Sequence, residues 1–185
     1  MKILDSILRV KNSDLDSLDT SYIKKYNICH DFSYFHGPSG KEHYRLLIYI
    51  ASLYNNECLF DIGTYRGMSA LALSNNPKNH IKTYDIKKCY PENLKIDNIE
   101  FILGDFTEDK NLIISQFIFL DALHDGIYEN IVYKYLQKIK WKGLLLLDDI
   151  YLNDSMKEFW INITEKKYDI SILGHWSGTG IVEFS

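Results

Sequence analysis

The stretch of sequence that decides the fold spans residues 60–73 and reads FDIGTYRGMSALAL. An apolar run ends at Gly63, three residues follow, and Gly67 opens a segment of helical character. Glycine lets the backbone turn sharply and approach a ligand closely, and a helix N-terminus offers unpaired N–H groups to an anionic group. The stretch therefore predicts a strand, a ligand-binding turn and a helix, with a tight turn that binds nothing as the alternative.

The spacing of these glycines restricts the ligand. It is Gly-x-x-x-Gly, whereas a dinucleotide pyrophosphate is typically bound by Gly-x-Gly-x-x-Gly. The sequence also contains no Gly-Lys-Ser or Gly-Lys-Thr, which excludes a P-loop. The turn is therefore a poor fit to either common nucleotide-phosphate motif.

Five short apolar runs are flanked by glycine, asparagine or aspartate. Runs of this length are typical of strands that are covered on both faces. The predicted strands are residues 58–62, 81–86, 100–103, 117–122 and 144–149.

Segments of helical periodicity lie around these runs, at residues 39–54, 127–140 and 153–164. Residues 168–185 read as two strands around the turn Ser177-Gly178, which is a hairpin. The alternation of strands and helices predicts an α/β fold with a doubly wound, Rossmann-like, mostly parallel sheet of seven strands and a C-terminal antiparallel hairpin. In the helix at 127–140, the predicted buried stripe consists of Ile127, Tyr128, Ile131, Val132, Tyr135, Leu136 and Ile139.

The 185 residues are expected to form one domain, residues 1–185. Residues 39–185 carry the regular pattern, and residues 1–38 are predicted to be an accessory segment because turn formers interrupt their helical spacing. A sheet of this kind binds its ligand at the carboxyl ends of the strands. The residues that follow each strand therefore carry the functional prediction.

Charge and composition argue against several classes of protein. The 21 Lys+Arg and 25 Asp+Glu give a net charge of −4, whereas a domain that neutralises nucleic-acid phosphates carries a basic stripe. No run of ~18 apolar residues encodes a transmembrane helix, and Asp5 interrupts any secretory signal. Cys29, Cys58 and Cys89 have no CxxC spacing and are expected to be reduced thiols. We expect a cytoplasmic protein whose partners are neither nucleic acid nor membrane.

Residues 61–69, DIGTYRGMS, resemble motif I of the class I S-adenosylmethionine-dependent methyltransferases, and the resemblance extends from about residue 39 to the C-terminus. It implies that the glycine turn contacts the methionine and ribose of the cofactor. Asp85, 85 − 63 = 22 residues after the first glycine, has the spacing of a ribose-binding carboxylate. Residues 104–106, GDF, are similar to the adenine-side motif. The cofactor-binding residues implied in this way are Asp61, Gly63, Thr64, Tyr65, Gly67, Ser69, Asp85, Asp105 and Phe106.

Taken singly, the two later aspartates also fit a simpler interpretation. Asp85 or Asp105 alone is typical of a solvated loop or a helix cap. Their occurrence after consecutive predicted strands, together with the glycine turn, favours the cofactor site.

The ends of the fourth and fifth predicted strands narrow the resemblance. They read LDALHD at residues 120–125 and LDDI at residues 147–150. Both are similar to metal-dependent O-methyltransferases of small molecules, including those that methylate sugar hydroxyls. The resemblance implies that Asp121, Asp148 and Asp149 bind a divalent ion, Mg²⁺. The Asp-x-x-His element also fits a broader related group in which metal use is not universal.

A divalent ion is physically reasonable at these positions. Adjacent strand ends of a parallel sheet lie ~5 Å apart, so the carboxylates of Asp121 and Asp148 or Asp149 can converge. Their repulsion would raise their pKa values, and a cation removes that cost. Oxygen ligands favour Mg²⁺ or Ca²⁺ over zinc. In the alternative, Asp149 caps the following segment and Asp148 faces solvent.

His124 is the candidate catalytic base, and Asp121 is the second candidate catalytic residue. A neutral imidazole, with a pKa near ~6.5, accepts a hydroxyl proton near neutral pH. The alternative is a surface histidine that caps the following helix. His36, His43 and His175 are candidates for the wall of the substrate pocket, with packing roles as the alternative for each.

These residues predict transfer of a methyl group from S-adenosylmethionine to a hydroxyl of a small polar molecule, a sugar or glycan. A catechol-like phenol is an alternative acceptor, and a cofactor-binding partner protein without catalysis is an alternative function. Nucleic-acid methylation is a weaker hypothesis, since the sequence lacks a basic face and the Asn/Asp-Pro-Pro-aromatic motif. Residues 1–38 are expected to cap the substrate pocket and are a candidate contact in a homodimer.

Overall fold

The computed structural model of the chain describes residues 3–26, 42–90 and 94–185. Its strands are β1 (Cys58–Ile62), β2 (His80–Asp85), β3 (Ile99–Leu103), β4 (Phe117–Leu120), β5 (Gly143–Asp148), β6 (Lys166–Asp169) and β7 (Thr179–Phe184). They form one seven-stranded sheet in the order β3-β2-β1-β4-β5-β7-β6. The strand β7 runs antiparallel to both of its neighbours, and the other pairs are parallel. The fold class predicted from the sequence is confirmed.

Helices cover both faces of this sheet. One face carries α1 (Ile3–Arg9), α2 (Asn12–Asp16), α3 (Ser21–Lys24), α4 (Tyr44–Leu53) and α5 (Met68–Leu73). The other face carries α6 (Ile127–Lys138) and α7 (Asp154–Asn162). Short 3₁₀ helices span Phe106–Glu108, Lys110–Ile114 and Ser171–Leu173.

The two faces bury separate apolar cores, because successive strand side chains point to opposite sides. In β4, Phe117 and Phe119 join the core under α1–α5, whereas Ile118 and Leu120 join the core under α6 and α7. The first core also contains Leu4, Ile7, Leu15 and Ile23 of α1–α3. The described part of the predicted accessory segment is thus packed into the core, while residues 27–38 lie outside the described residues.

Two predictions from the sequence, on membrane-spanning helices and on the cysteines, can be compared with the structure. Within the described ranges, no helix combines the length and the apolar character that crossing a bilayer requires. Cys58 and Cys89 are free thiols, and Cys29 lies outside the described residues.

The helix predicted at residues 127–140 exists as α6, but its buried face differs from the prediction. Ile127 and Ile131 are 68% and 59% exposed, whereas Tyr133, which the predicted stripe omitted, is buried. Burial of this tyrosine is tolerated because its hydroxyl has a partner, the Oγ1 atom of Thr164, at 3.1 Å. The hydrophobic spacing alone therefore selected a face turned too far toward solvent.

The predicted hairpin is confirmed, but its connection is longer than a Ser-Gly turn. The β6–β7 connection, residues 170–178, contains a 3₁₀ helix and then folds over the end of β5. Two backbone hydrogen bonds fix it there, from the amide of Tyr151 to the carbonyl of Ser177 (2.8 Å) and from that of Ile150 to Gly178 (3.2 Å). The antiparallel return of the chain thus brings residues 175–178 to the carboxyl end of the parallel strands.

Leu136→Ala and Ile131→Ala, both in α6, test the observed orientation of this helix. Leu136 is buried in the core and should cost ~2–5 kcal/mol of stability when truncated. Ile131 lies on the exposed side, and its truncation should change stability by no more than ~0.5 kcal/mol. Urea unfolding of the two variants measures the difference, and equal losses would show that Ile131 is buried in solution.

Candidate active site

A groove lies at the carboxyl ends of the parallel strands, where β1 and β4 are neighbours and the strand order reverses direction. Its larger part is a cavity of about 510 Å³, and a smaller pocket of about 160 Å³ adjoins it. Both are lined by Gly63, Tyr65 and Asp121, so we describe them together as the strand-end groove. The predicted site residues that line it are Gly63, Thr64, Tyr65, Ser69, Asp85, Asp121 and His124.

The glycine turn forms the floor of this groove. Gly63 has a φ of +107°, and a side chain there would overlap the carbonyl oxygen of Asp121. Gly67 has a φ of +84° at the start of α5, a conformation that disfavours other residues. Gly63 is therefore required by the close contact between the carboxyl ends of β1 and β4, and Gly67 is required by its backbone conformation.

Asp85 ends β2 and lines the larger cavity. Its carboxylate accepts hydrogen bonds from the amides of Tyr65 (2.8 Å) and Lys87 (2.9 Å), one on each oxygen. A carboxylate oxygen has a second lone pair, so both oxygens can still accept a hydrogen bond from a ligand. The position and the remaining capacity suit a pair of ribose hydroxyls.

Asp61 lies beneath the turn rather than on the groove wall. Its Oδ2 atom accepts from the hydroxyl of Thr83 at 2.5 Å, and Thr83 in turn lies 2.6 Å from the hydroxyl of Thr64. Its Oδ1 atom is buried and has no hydrogen-bond partner among the described residues. Burial raises the pKa of Asp61 to about 7, although the hydrogen bond from Thr83 and the nearby hydroxyl of Ser69 act to lower it.

Asp105 and Phe106 lie away from the groove wall. Asp105 accepts a hydrogen bond from the amide of Thr107 at 2.9 Å, so it caps the 3₁₀ helix that follows. Phe106 is buried in the core beside Tyr84. Gly104, just before them, lines the larger cavity. The cofactor-binding roles of Asp105 and Phe106 stay predictions.

His124 and Asp121 contact each other at the end of β4. The distance from His124 Nε2 to Asp121 Oδ1 is 3.1 Å, and the distance from His124 Nδ1 to Asp149 Oδ2 is 3.6 Å. Burial alone would lower the pKa of His124, but the hydrogen bond to Asp121 and the nearby charges raise it to about 8. The His124 side chain does not cap α6. The amides at the start of that helix donate instead to the side chains of Asp125 and Glu129.

Two further histidines lie among the same carboxylates. His43 is 2% exposed, with its Nδ1 atom 3.4 Å from Asp148 Oδ1 and its Nε2 atom 3.7 Å from Asp121 Oδ2. Burial would lower the pKa of His43, but the charges of Asp148 and Asp121 raise it to about 9. His175 Nδ1 lies 2.9 Å from Asp149 Oδ1 and 3.6 Å from Asp148 Oδ1. We call the six side chains the charged cluster: His43, Asp121, His124, Asp148, Asp149 and His175.

The charged cluster shows what the sequence analysis missed. The sequence predicts that His43 and His175 form a substrate wall or pack in the core, whereas both contact the acidic residues themselves. His36 lies outside the described residues. His43 and His175 are far from Asp148 in sequence. For His175, the sequence does contain a signal, which is the C-terminal hairpin. A strand antiparallel to β5 must begin near the residue at which β5 ends, so the residues just before it lie near Asp148.

The surroundings of the acidic pair exclude its simpler interpretation. Asp148 is 4% exposed, so it does not face solvent. The side chain of Asp149 accepts from Ser177 and contacts His175, rather than capping the segment that follows it.

The donor atoms of the charged cluster fit the predicted Mg²⁺ ion poorly. Mg²⁺ requires an octahedron of oxygen ligands, with waters completing it. The ring of His43 lies between Asp121 and Asp148, and the ring of His124 lies between Asp121 and Asp149. The Asp121–Asp148–Asp149 ligand set stays a prediction, and no chemical step is derived through Mg²⁺.

Solved structures share this architecture at low sequence identity. An S-adenosylhomocysteine-bound methyltransferase, PaMTH1 from Podospora anserina, is 17% identical, with a TM-score of 0.55 over 77% of this chain and 78% of that one. A protein assigned as a caffeoyl-CoA O-methyltransferase from Staphylococcus aureus is 13% identical, with a TM-score of 0.61 over 98% and 96%. The O-methyltransferase TomG from Streptomyces achromogenes, solved with S-adenosylmethionine, is 14% identical, with a TM-score of 0.58 over 99% and 95%.

These similarities establish the fold. The chain has the Rossmann-like α/β fold of methyltransferases, over nearly its whole length and nearly the whole length of two of these structures. No protein-family model and no curated protein sequence matches the chain.

Asp61→Asn tests the buried acid beneath the turn. Because burial raises the pKa of Asp61 from 3.8 to about 7, native stability is lost as the pH rises through this range. The asparagine keeps an acceptor for Thr83 but cannot ionise. We expect it to increase the free energy of unfolding by at least ~1 kcal/mol at pH 8, with the gain disappearing near pH 4.

Thermal unfolding of wild type and variant across this pH range measures the effect. Glu158→Gln, which removes an exposed carboxylate in α7, is the matched control and should show no such gain. A destabilised Asp61→Asn at pH 8 would contradict the assignment of a buried, unfavourable charge.

Proposed function

We propose that the chain is an S-adenosylmethionine-dependent methyltransferase that methylates a hydroxyl of a small polar molecule. The observation that carries the proposal is the composition of one cavity. The cavity of about 510 Å³ is lined both by Asp85, which is suited to bind a ribose, and by the His124–Asp121 pair, which is suited to take up a hydroxyl proton. A cofactor-binding partner protein without catalysis would have no use for the second pair.

The groove fits the proposed cofactor along its length. S-adenosylmethionine supplies an electrophilic methyl group on a sulfonium. Ile86, Leu123 and Tyr128 give the larger cavity an apolar wall next to Asp85, which suits a purine base. At the other end, the Oδ1 atom of Asp61 is buried without a partner in the described part of the chain. Because Asp61 is fully buried beneath the turn, its carboxylate would favour the ammonium of the methionine part through its charge at a distance and not by contact.

His124 would act as the base. Because its pKa is raised to about 8, the ring is neutral above that pH, and Nε2–H is then donated to Asp121 while the lone pair is on Nδ1, a buried atom 3.6 Å from Asp149 Oδ2. Asp121 thereby sets the tautomer and orientation of the ring, as the carboxylate does in other base–carboxylate pairs. The His124–Asp121 pair would take up the acceptor's proton as the acceptor oxygen bonds to the methyl carbon, while the bond from that carbon to the sulfonium sulfur breaks and S-adenosylhomocysteine leaves as a neutral thioether. Alignment of the two reactants in one cavity supplies the remaining acceleration.

We propose a sugar or another polyhydroxylated molecule as the acceptor. The carboxylate of Asp121, on the groove wall, can accept a hydrogen bond from a hydroxyl, and Trp176, on the β6–β7 connection beside His175, is 75% exposed. A broad exposed ring suits the apolar face of a sugar. The net charge of −4 disfavours polyanionic acceptors such as nucleic acid.

A catechol-like phenol is the second candidate acceptor. It is favoured by the similarity to the protein assigned as a caffeoyl-CoA O-methyltransferase, which covers 98% of this chain. An aromatic acceptor would also use the exposed ring of Trp176.

Asp85→Asn tests the cofactor site. The variant keeps one acceptor for the backbone amides but loses the charge and one acceptor, so S-adenosylhomocysteine should bind at least ~5-fold more weakly, about 1 kcal/mol. Calorimetric titration measures the affinity. Asp97→Asn is the matched control because Asp97 is exposed just before β3, at the opposite edge of the sheet. Equal affinities in the two variants would contradict the assignment of Asp85.

His124→Gln tests the base. Glutamine retains much of the volume but cannot take up the proton, so the rate of transfer should fall ~10²-fold or more while S-adenosylhomocysteine affinity is preserved. Labelled cofactor is incubated with nucleotide-sugars, free glycans and catechols, and the labelled product is identified. Full activity in the variant would contradict the base assignment, and transfer to catechols alone would contradict the sugar acceptor.

A further inference from the structure

We propose that His43, Asp148 and His175 form a binding site for a divalent transition-metal ion of the zinc class. The site goes beyond the proposed methyl transfer, because His124 and Asp121 can take up the acceptor's proton without it. It also differs from the Mg²⁺ site predicted from the sequence, since two of its three ligands are imidazoles.

The three side chains converge from separate parts of the fold. His43 precedes α4, Asp148 ends β5, and His175 belongs to the β6–β7 connection. One ligand atom from each lies within 4.8 Å of the ligand atoms of the other two. The backbone hydrogen bonds of residues 150 and 151 to the β6–β7 connection hold His175 in place, so the site exists before any ion binds.

Burial makes these side chains unusual without a cation. Both ring nitrogens of His43 and the Oδ1 atom of Asp148 are buried, and none of the described residues hydrogen-bonds to them. Buried polar atoms are otherwise almost always paired, because leaving them unpaired costs free energy. An ion between His43 and Asp148 would satisfy two of these three atoms at once.

The distances are those between neighbouring ligands of one ion. Asp148 Oδ1 lies 3.4 Å from His43 Nδ1 and 3.6 Å from His175 Nδ1. Both exceed the ~2.7–3.2 Å of an ordinary hydrogen bond. In a tetrahedral zinc site with bonds of about 2.0–2.1 Å, two ligand atoms are separated by ~3.3–3.4 Å. To complete that geometry, His175 Nδ1 would move inward and exchange its contacts with Asp149 Oδ1 (2.9 Å) and Ser177 Oγ (2.7 Å) for the ion.

The outer nitrogens of both imidazoles face carboxylates. Nε2 of His43 lies 3.7 Å from Asp121 Oδ2, and Nε2 of His175 lies 3.6 Å from Glu42 Oε2. Metal-bound histidines typically donate their other N–H to a carboxylate, which fixes the ring and makes the ligating nitrogen more basic. Each histidine therefore presents Nδ1 toward Asp148 and Nε2 toward a different acidic residue.

The ligand set defines the class of ion. Imidazole suits zinc, iron, cobalt and nickel, whereas Mg²⁺ and Ca²⁺ prefer oxygen alone. Three protein ligands leave a fourth position for water or a ligand oxygen, as in open zinc sites. Asp149 already contacts Ser177 as well as His175, so its carboxylate keeps a partner when His175 Nδ1 turns to the ion.

The test is ion binding to the full chain, after removal of metals with a chelator. Calorimetry with Zn²⁺ and visible absorption with Co²⁺ should show one ion per chain, and Co²⁺ should give the intense bands of a tetrahedral site. Mg²⁺ should bind at least ~100-fold more weakly than Zn²⁺. His175→Ala should weaken Zn²⁺ binding at least ~10-fold and remove the Co²⁺ bands. His80→Ala, which removes an exposed histidine at the start of β2, is the matched control and should leave both unchanged.

Each remaining outcome decides against the proposal. Absence of saturable Zn²⁺ binding would identify the cluster as paired imidazolium and carboxylate groups without an ion. Binding that survives His175→Ala but is lost in Asp121→Asn would assign the ion to the three carboxylates. His175 is only half-buried, so its variant should remain folded, and thermal unfolding verifies this. S-adenosylhomocysteine titration of the same samples separates failure of the metal site from failure of the cofactor site.

Discussion

The contact between the exits of β1 and β4 is the constraint on which the rest of the site depends. Gly63 approaches the backbone of Asp121 so closely that no side chain fits between them. The amide of Asp121 also donates to the carbonyl of Ile62 at 2.9 Å, which fixes the two exits side by side. The groove opens at this contact, and Asp121 leaves it directed toward His124. The reversal of strand order thereby places Asp121 and His124 in contact on the wall of the groove.

The antiparallel strand β7 has a comparable effect on the other side. Its pairing with β5 places Thr179 opposite Asp148, so the residues just before it pack over that strand end. His175 therefore reaches Asp148 and Asp149 from the C-terminal hairpin, while His43 reaches Asp148 and Asp121 from the start of α4. Closely spaced carboxylates would otherwise repel, and the interleaved imidazoles relieve that repulsion. The same arrangement explains why the pKa values of these histidines are raised despite burial.

The sequence could predict what is local and could not predict what depends on packing. The apolar runs located the five parallel strands to within a residue or two, and the Gly63–Asp85 spacing located the turn and the acid beside the larger cavity. Which side chains are buried is harder to predict from the sequence. Ile131 is apolar but exposed, whereas Tyr133 is buried and its hydroxyl has a partner in Thr164. The pairing of His43 with Asp148 spans more than half the chain, and only the sheet order brings the two together.

Two buried carboxylate oxygens connect the stability of the fold with its proposed function. Oδ1 of Asp61 and Oδ1 of Asp148 each have no hydrogen-bond partner within the described ranges, and they lie on the two sides of the β1–β4 contact. The Asp61 oxygen destabilises the ligand-free protein, because a buried, unpaired acceptor loses its interaction with water, whereas the Asp148 oxygen is partly compensated by the imidazoles 3.4 Å and 3.6 Å away. A cation that reaches either oxygen recovers that free energy and adds to binding, by the usual linkage between ligand affinity and stability. At Asp148 this is the interaction that the proposed metal ion would supply, whereas at the fully buried Asp61 protonation relieves the charge, since the pKa of its carboxyl is raised to about 7.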